Sequence, residues 1–384
     1  MKQINKNSYQ GFLAVFIFLF FATPCLLAGF NFRMDPNSRY HFSVGDELLK
    51  QLADSQDTLL TLPSNSDDRA LLKKYIKLTR TQQRDFLVLG GSRVLNIQPN
   101  MLSDTYKSSF LNAGVTAGTI RDYIALWQLI KDYGLHPKIV LIGIEEQSLN
   151  SISQNNHYLS ILEYYEAFFS KGISLRIKLM GLTTDLKDLL SLSSTISSIK
   201  MALHPKSSFV RPHLLSMKNF DYSVYARTPA FSVLYPHAYE HRALDTVNAE
   251  GEANGRGEQK VFEMWNQKDA RGNDQLRALL RDIKKSGAVP VLVGFPYHPE
   301  ANRVIAQSSR AQINLNVFVD ALSRLAVDEG VYFYDAIFQH RDLLSPIDFI
   351  DGAHLGQSAT YKLLTAVSSD SKLELAATKW TAES

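Results

Sequence analysis

Cysteine is nearly absent: Cys25 is the only one in 384 residues. A single thiol excludes an intramolecular disulfide, a zinc–cysteine cluster and a cysteine nucleophile outside the segment that carries it. The fold must therefore rest on its apolar core. An excess of charge of one sign is missing too. Forty-one Lys and Arg against 38 Asp and Glu leave a net charge of +3. That is too even for the concentrated basic face that nucleic acid requires. Neither a Gly-x-Gly-x-x-Gly fingerprint nor a Walker pattern occurs, which argues against a nucleotide or flavin site. No cofactor and no metal are expected, and no internal repeat is present.

What is present starts at the N-terminus. Lys2 and Lys6 precede Gly11–Phe30, twenty residues without a charge and rich in Phe, Leu, Val and Ala. That length spans a bilayer core, and the lysines favour a cytoplasmic N-terminus. A cleaved signal peptide has a similar start, but no small-x-small site follows, so an uncleaved anchor is expected. Pro24 before Cys25 fits a lipid-attachment box poorly, which leaves Cys25 as a cysteine within a membrane segment. The expected layout is a cytoplasmic tail (1–10), an anchor (11–30) and the bulk of the chain in the periplasm or outside.

Residues 31–84 read as a polar juxtamembrane stretch with a helix near Arg69–Thr79. From Asp85 an α/β alternation begins. Phe86–Leu89, Ser109–Asn112, Lys138–Ile144, Val289–Phe295 and Val331–Tyr334 read as strands. Thr119–Tyr133, Gln275–Lys285, Ala311–Val327 and Gln357–Val367 read as helices. Thr119 with Asp122 resembles a capping box, and Gly134 marks the end of that helix. Apolar strands joined by helical crossovers predict a three-layer α/β/α sandwich on a mostly parallel five-stranded sheet of flavodoxin-like order. The sandwich takes residues 85–150 and 271–384. Residues 151–270 read as a mainly helical insertion, with serine-rich Ser191–Lys200, aromatic-rich Tyr222–Tyr239 and a mobile loop at Asn248–Gly257.

In open α/β sheets, ligands bind beyond the carboxyl ends of the strands. Every candidate residue falls there: Ser92 after the first strand, Asn112 through Gly114 after the second, and Glu145-Glu146 after the third. Pro296 through Pro299, with His298, follows the fourth, and Asp351 and His354 lie beyond the fifth. Ser92 on the Gly90-Gly91 turn reads as a nucleophile; a helix cap or an anion site are the alternatives. Asp351 and His354, three apart, read as a carboxylate that orients an imidazole base; a loop cap and a packing histidine are the alternatives. His298 reads as a pocket wall or a structural residue rather than a catalytic group. Glu145 and Glu146, adjacent on an extended chain, should point to opposite faces, and a solvated loop is expected there.

Gly91-Ser92, Asn112 through Thr119, and Asp351-Gly352-Ala353-His354 together resemble the first, second and last blocks of the SGNH/GDSL hydrolase superfamily. The likeness is to its membrane-anchored bacterial envelope members, including D-alanyl-transfer and polysaccharide O-acyl-modifying proteins, and covers residues 85–145 and 287–367. It implies Ser92 as nucleophile, His354 as base and Asp351 as its orienter. The amides of Arg93 and of the Ala117–Gly118 turn would form the oxyanion hole, with Asn112 and His298 against the substrate. The implied activity is a serine esterase or O-acyltransferase on envelope glycan, with a membrane-bound acyl-donor protein as a possible partner; the alternative is a non-catalytic assembly partner on the same fold. The chain departs from the pattern at three places. Gly91 stands where an aspartate usually precedes the serine. Glu145-Glu146 replaces the Asn-Asp of the third block, and Ala117 stands at the second-block glycine.

Overall fold

The computed structural model describes residues 6–35, 49, 51, 58–61, 68–149, 157–169, 182–183, 186–187, 189–203, 213–216, 233–234, 243–265, 271–341 and 343–378. At its centre is a five-stranded sheet of β1 (Phe86–Leu89), β2 (Phe110–Asn112), β3 (Ile139–Ile144), β4 (Val289–Gly294) and β5 (Tyr332–Asp335). The order is β2-β1-β3-β4-β5, and every neighbouring pair is parallel. This is the expected α/β sandwich. From β1 the chain steps first to one side, to β2, and then to the other, to β3. The loops after β1 and β3 therefore diverge and open a crevice at the carboxyl edge.

The longer described helices are α1 (Lys6–Met34), α2 (Asp68–Leu78), α3 (Ile120–Asp132), α4 (Leu192–Leu203), α5 (Leu244–Met264), α6 (Arg271–Lys285), α7 (Pro299–Ala306), α8 (Ser309–Glu329) and α9 (Gln357–Ser371). Successive strand residues point to opposite faces, and the core divides accordingly. Leu87, Leu89, Val140, Ile142 and Leu292 pack with α2, α3, α6 and α8 on one side. Phe86, Val88, Leu141, Val291 and Val293 pack with Leu363, Leu364 and Val367 of α9 on the other. Trp127 of α3 is fully buried, and its indole nitrogen donates to Asp282 Oδ2 at 2.7 Å.

Helix α3 starts at Thr119, whose amide donates to Asp122 Oδ2 at 2.8 Å, the expected capping contact. Gly134 ends it at φ +73°, a left-handed value that glycine adopts without strain. Helix α1 includes a stretch, Leu13–Met34, with a mean hydropathy of 2.4, and its most apolar window buries none of its residues in the protein. That stretch is long and apolar enough to cross a membrane. Cys25 is exposed on this helix.

Two features differ from the sequence reading. Asn248–Gly257 is not a loop: it lies inside helix α5. Glycine costs a helix about 1 kcal/mol per residue when considered locally, which is why the run reads as irregular. Here Gly251 and Gly255 face α7, and a Cβ on them would fall 2.2 Å from the His298 ring and 2.6 Å from Ala301 Cα. The missing side chains allow the two helices to approach, and their packing offsets the local penalty. The second difference is a small separate sheet, ordered His213–Ser216, Thr58–Thr61, Val233–Leu234. Strands of two to four residues leave little pattern to read. Apart from Val233–Leu234, the Tyr222–Tyr239 run lies outside the described residues.

Candidate active site

The first strand ends at Leu89, and after Gly90-Gly91 the chain turns into a single 3-10 turn, Ser92–Val94. Its anchor is Val94, whose side chain lies where Cβ atoms on Gly90 and Gly143 would stand, 2.5 and 2.2 Å away. The turn thus sits directly on β1 and β3, with the Ser92 side chain at the crevice. The Ala117–Gly118 turn packs beside it: Val115 donates its amide to the Gly90 carbonyl at 3.0 Å. A Cβ on Gly118 would lie 2.9 Å from that same oxygen. Ala117 holds φ at +49°, a left-handed conformation uncommon outside glycine. Such a residue persists when its surroundings over-determine it, and it clusters at functional sites.

The Asp351–His354 segment is a closed loop. Phe349 and Leu355, both buried, bridge its ends, and the Ile350 amide donates to the His354 carbonyl at 3.0 Å. Within it, Asp351 Oδ1 accepts the amides of Ala353 and His354, each at 2.8 Å. The same carboxylate faces His354 Nδ1 at 2.8 Å, and His354 Nε2 lies 2.8 Å from Ser92 Oγ. Ser92 and His354 are 262 positions apart in the chain, so only the fold brings them together. An imidazole protonated at Nδ1 satisfies both contacts: it donates to Asp351 and accepts from the Ser92 hydroxyl. Burial pushes the Asp351 carboxyl up, but the hydrogen bond and charge of His354 and the two amides outweigh it and hold the carboxyl at about 2. Asp351 is therefore a carboxylate throughout the neutral range.

Behind the serine lies a charged cluster that the sequence did not announce. The Arg93 guanidinium, 6% exposed, contacts Glu258 Oε1 of α5 at 3.0 Å and Glu145 Oε2 at 3.6 Å. It lies over the Tyr297 ring, 4.5 Å from the centroid, and Tyr297 donates its hydroxyl proton to Glu146. Burial works against the guanidinium's charge, but Glu145 and Glu258 outweigh it and keep Arg93 protonated. Three carboxyls around one cation cannot all ionise at low cost. Burial, the charge of Glu146 and a shared hydrogen bond push Glu258 well above the usual carboxylate range. Burial also opposes ionisation of Glu146, yet the bond from Glu258, the Arg93 charge and Tyr297 hold it below that range. The pair's proton therefore sits on Glu258.

Glu145 and Glu146 are accordingly not on a solvated loop; they are 4% and 0% exposed. Alternation between faces holds only along a strand. Here β3 ends at Ile144 and a helical turn starts at Glu146, so both side chains turn inward toward Arg93. Glu145 Oε1 lies 2.6 Å from where a Cβ on Gly91 would be. A side chain at position 91 would require the Glu145 carboxylate to shift, and an aspartate there would set a second negative charge beside it.

Two other expectations are revised. Asn112 does not face a substrate. It is buried, donates to the carbonyls of Val94 and Ile97 at 2.8 and 3.2 Å, and accepts the Gly114 amide at 2.8 Å. Its carboxamide braces the segment that carries Ser92. His298 is wholly buried; its Nδ1 accepts the Glu300 amide at 3.1 Å and caps α7, and its ring meets Phe349 edge to face. Burial lowers its pKa. It packs behind the Asp351–His354 loop through Phe349, the structural one of the two roles expected of it.

Asn96, whose carboxamide donates to the Leu355 carbonyl at 2.7 Å, and Glu258 are the site residues that sequence reasoning missed, and Tyr297 was named only as part of its segment, without a role. Tyr297 lies in the segment after the fourth strand, where its neighbour His298 drew attention first. Glu258 follows the glycine-containing run read as a loop and carried no signal of its own. Among the described residues no group of three or more His, Cys, Asp and Glu is arranged to hold a metal ion. No family model matches this sequence, and no curated protein matches it either.

Proposed function

We propose that this protein is a membrane-tethered, SGNH-like serine esterase or O-acyltransferase that works through an acyl-serine intermediate on envelope polysaccharide. The observation that carries the reading is the continuous contact from Asp351 through His354 to Ser92, 2.8 Å at each step. A general base needs hydrogen-bond reach to the proton it takes, roughly 2.6–3.2 Å, and the geometry meets that condition.

In this reading Ser92 Oγ attacks the ester carbonyl while His354 Nε2 takes the hydroxyl proton, and Asp351 stabilises the imidazolium. The oxyanion develops between the Arg93 amide and the Ala117–Gly118 turn, in a site of preorganised donors. Collapse expels the alkoxide, which takes the proton back from His354 and leaves acyl-Ser92. His354 then takes a proton from water, giving an esterase, or from a sugar hydroxyl, giving a transferase, as that oxygen bonds to the acyl carbon; the acyl–Oγ bond breaks and Ser92 Oγ takes the proton from His354. The Arg93 charge offsets Glu145, so that the nearby carboxylate does not oppose the oxyanion. The apolar helix α1 supports tethering, with the catalytic domain on the periplasmic or outer side.

Labelling of the full chain with a fluorophosphonate probe, with Ser92→Ala as control, tests the reading. Covalent labelling that vanishes in Ser92→Ala, together with turnover of an acetyl ester, is the expected result. Absence of both in folded protein would overturn it and favour a non-catalytic assembly role on the same fold.

A further inference from the structure

Helix α4 is built inside out for a helix in water. Its buried residues are Ser194, Ser198 and Met201, at 5%, 0% and 6% exposure. Its exposed residues include Leu192, Ile196, Ile199 and Leu203, at 74%, 45%, 45% and 69%. These four recur at i, i+4, i+7 and i+11, a single apolar stripe along the helix. By the 3.6-residue period the stripe lies opposite the serine face. A surface helix in water buries its apolar stripe and exposes its serines. Leu182 and Leu186, just upstream, are also exposed.

Helix α4 meets helix α1 at Thr195. The two helices pack together, and buried Asn31 of α1 donates to the Leu189 carbonyl at 2.7 Å and to Thr195 Oγ1 at 2.9 Å. Close approach through small residues four apart, with apolar side chains turned outward, is how helices pair in lipid. Two hydroxyls at the contact are paired locally, as lipid favours: Thr195 donates to the Ser191 carbonyl at 2.9 Å and Ser191 to Ser194 Oγ at 2.8 Å, while Ser198 Oγ is buried without a hydrogen-bond partner among the described residues. Asn31 lies in the last turn of α1, at the end of its apolar stretch. The stripe of α4 is thus held at the level where that helix would leave a bilayer. Lys187 and Lys200 are exposed beside it, suited to lipid headgroups.

We infer that α4 is a second membrane contact, with its Leu192–Ile196–Ile199–Leu203 face inserted among the acyl chains of a lipid bilayer beside α1. This rests on the reading of α1 as a membrane span. The catalytic domain would then be held against the membrane at two points, which suits an acyl donor or glycan presented at the bilayer surface.

The test uses the full chain in lipid vesicles containing brominated phospholipid, on a Cys25→Ser background that leaves no other thiol. An environment-sensitive fluorophore is placed by Ile196→Cys, by Leu203→Cys, by Phe18→Cys on α1 and by Val327→Cys on the far helix α8. The inference expects Ile196 and Leu203 probes quenched by bromolipid to nearly the extent of Phe18, with Val327 unquenched. Quenching at Phe18 but not at Ile196 and Leu203 overturns the inference and leaves the span in place. Absence of quenching at Phe18 as well removes the span itself. Unquenched Ile196 probes that form excimers between copies overturn it in favour of a second copy covering the stripe.

Discussion

Asn96 and Leu355 lie 259 positions apart, yet the Asn96 carboxamide donates to the Leu355 carbonyl at 2.7 Å, fully inside the protein. This one bond ties the segment after Ser92 to the loop that ends beside His354. Replacement by alanine leaves the Leu355 carbonyl buried and unpaired, which costs about 1–3 kcal/mol. Asn96→Ala should therefore lower the unfolding temperature. It should also reduce kcat for ester turnover more than it raises KM, because the serine–base geometry loosens. Steady-state kinetics beside a thermal melt would check both.

On the proposed mechanism Ser92 and His354 contribute chemistry rather than packing. Ser92→Ala and His354→Ala should each abolish ester turnover while leaving the melt close to that of the unaltered chain. Asp351→Asn should retain more activity than Ser92→Ala, since Asp351 orients the imidazole and never bonds to the acyl group. Equal loss in all three variants, or unfolding of the serine variant, would contradict this division of roles.

The depressed Asp351 carboxyl also makes a statement about acid. Its value falls from 3.8 in an unfolded chain to about 2 in the fold, so the folded state prefers the ionised form. The resulting stabilisation is fully present above about pH 4 and fades as pH falls through 2. Asp351→Asn, which cannot ionise, should therefore be less stable than the parent at neutral pH by an amount that shrinks toward zero near pH 2. Denaturant titrations of both chains across that interval provide the measurement.

Glu258 has the opposite sign. The fold raises it, so above the unfolded glutamate value the native state holds a proton that the unfolded chain releases. Stability drawn from this residue therefore declines as pH rises above the unfolded glutamate value and toward the raised folded one. A glutamine can accept from Arg93 and donate to Glu146 just as a protonated glutamate does. Glu258→Gln should match the parent at pH 5 and exceed it in thermal stability at pH 9. Glu258→Ala, which removes the nearer of the two carboxyl groups at Arg93, should be weaker at both. A glutamine variant that loses stability on going alkaline as fast as the parent would show that the proton is not on Glu258.

Where local pattern and tertiary environment agree, the chain was legible. Lys138–Ile144 is apolar on every residue after the lysine, as a strand covered on both faces must be, and β3 occupies Ile139–Ile144. Ser92, Asp351 and His354 were legible because each follows a recognisable strand or loop, although nothing in their spacing measures the 2.8 Å that joins them. Glu145 and Glu146 were misread because the rule of alternate faces was carried one residue past the end of the strand. Helix α5 was misread because its glycines are favourable only in the presence of α7. Asn96 and Glu258 left no local mark at all, since their roles are set by partners far along the chain.

The glycines of α5 give a prediction with two signs. Gly251 and Gly257 lie six residues apart on one helix, and local propensity treats them alike. A Cβ on Gly257 meets nothing within 4 Å, whereas one on Gly251 would stand 2.2 Å from the His298 ring. Gly257→Ala should therefore stabilise the protein by roughly 0.5–1 kcal/mol, the usual gain on removing an exposed helix glycine. Gly251→Ala should destabilise it, because neither helix can move without disturbing its neighbours. The loss should reach the active site as well. Gly352, between Asp351 and His354, lies so close to α5 that a Cβ on it would be 2.3 Å from the Glu250 carbonyl carbon. A helix displaced at Gly251 pushes on that loop and on His298 beneath it. Ester turnover should fall in Gly251→Ala and stay at the parental level in Gly257→Ala. Equal behaviour of the two variants, in stability or in rate, would mean that α5 does not clamp the catalytic loop.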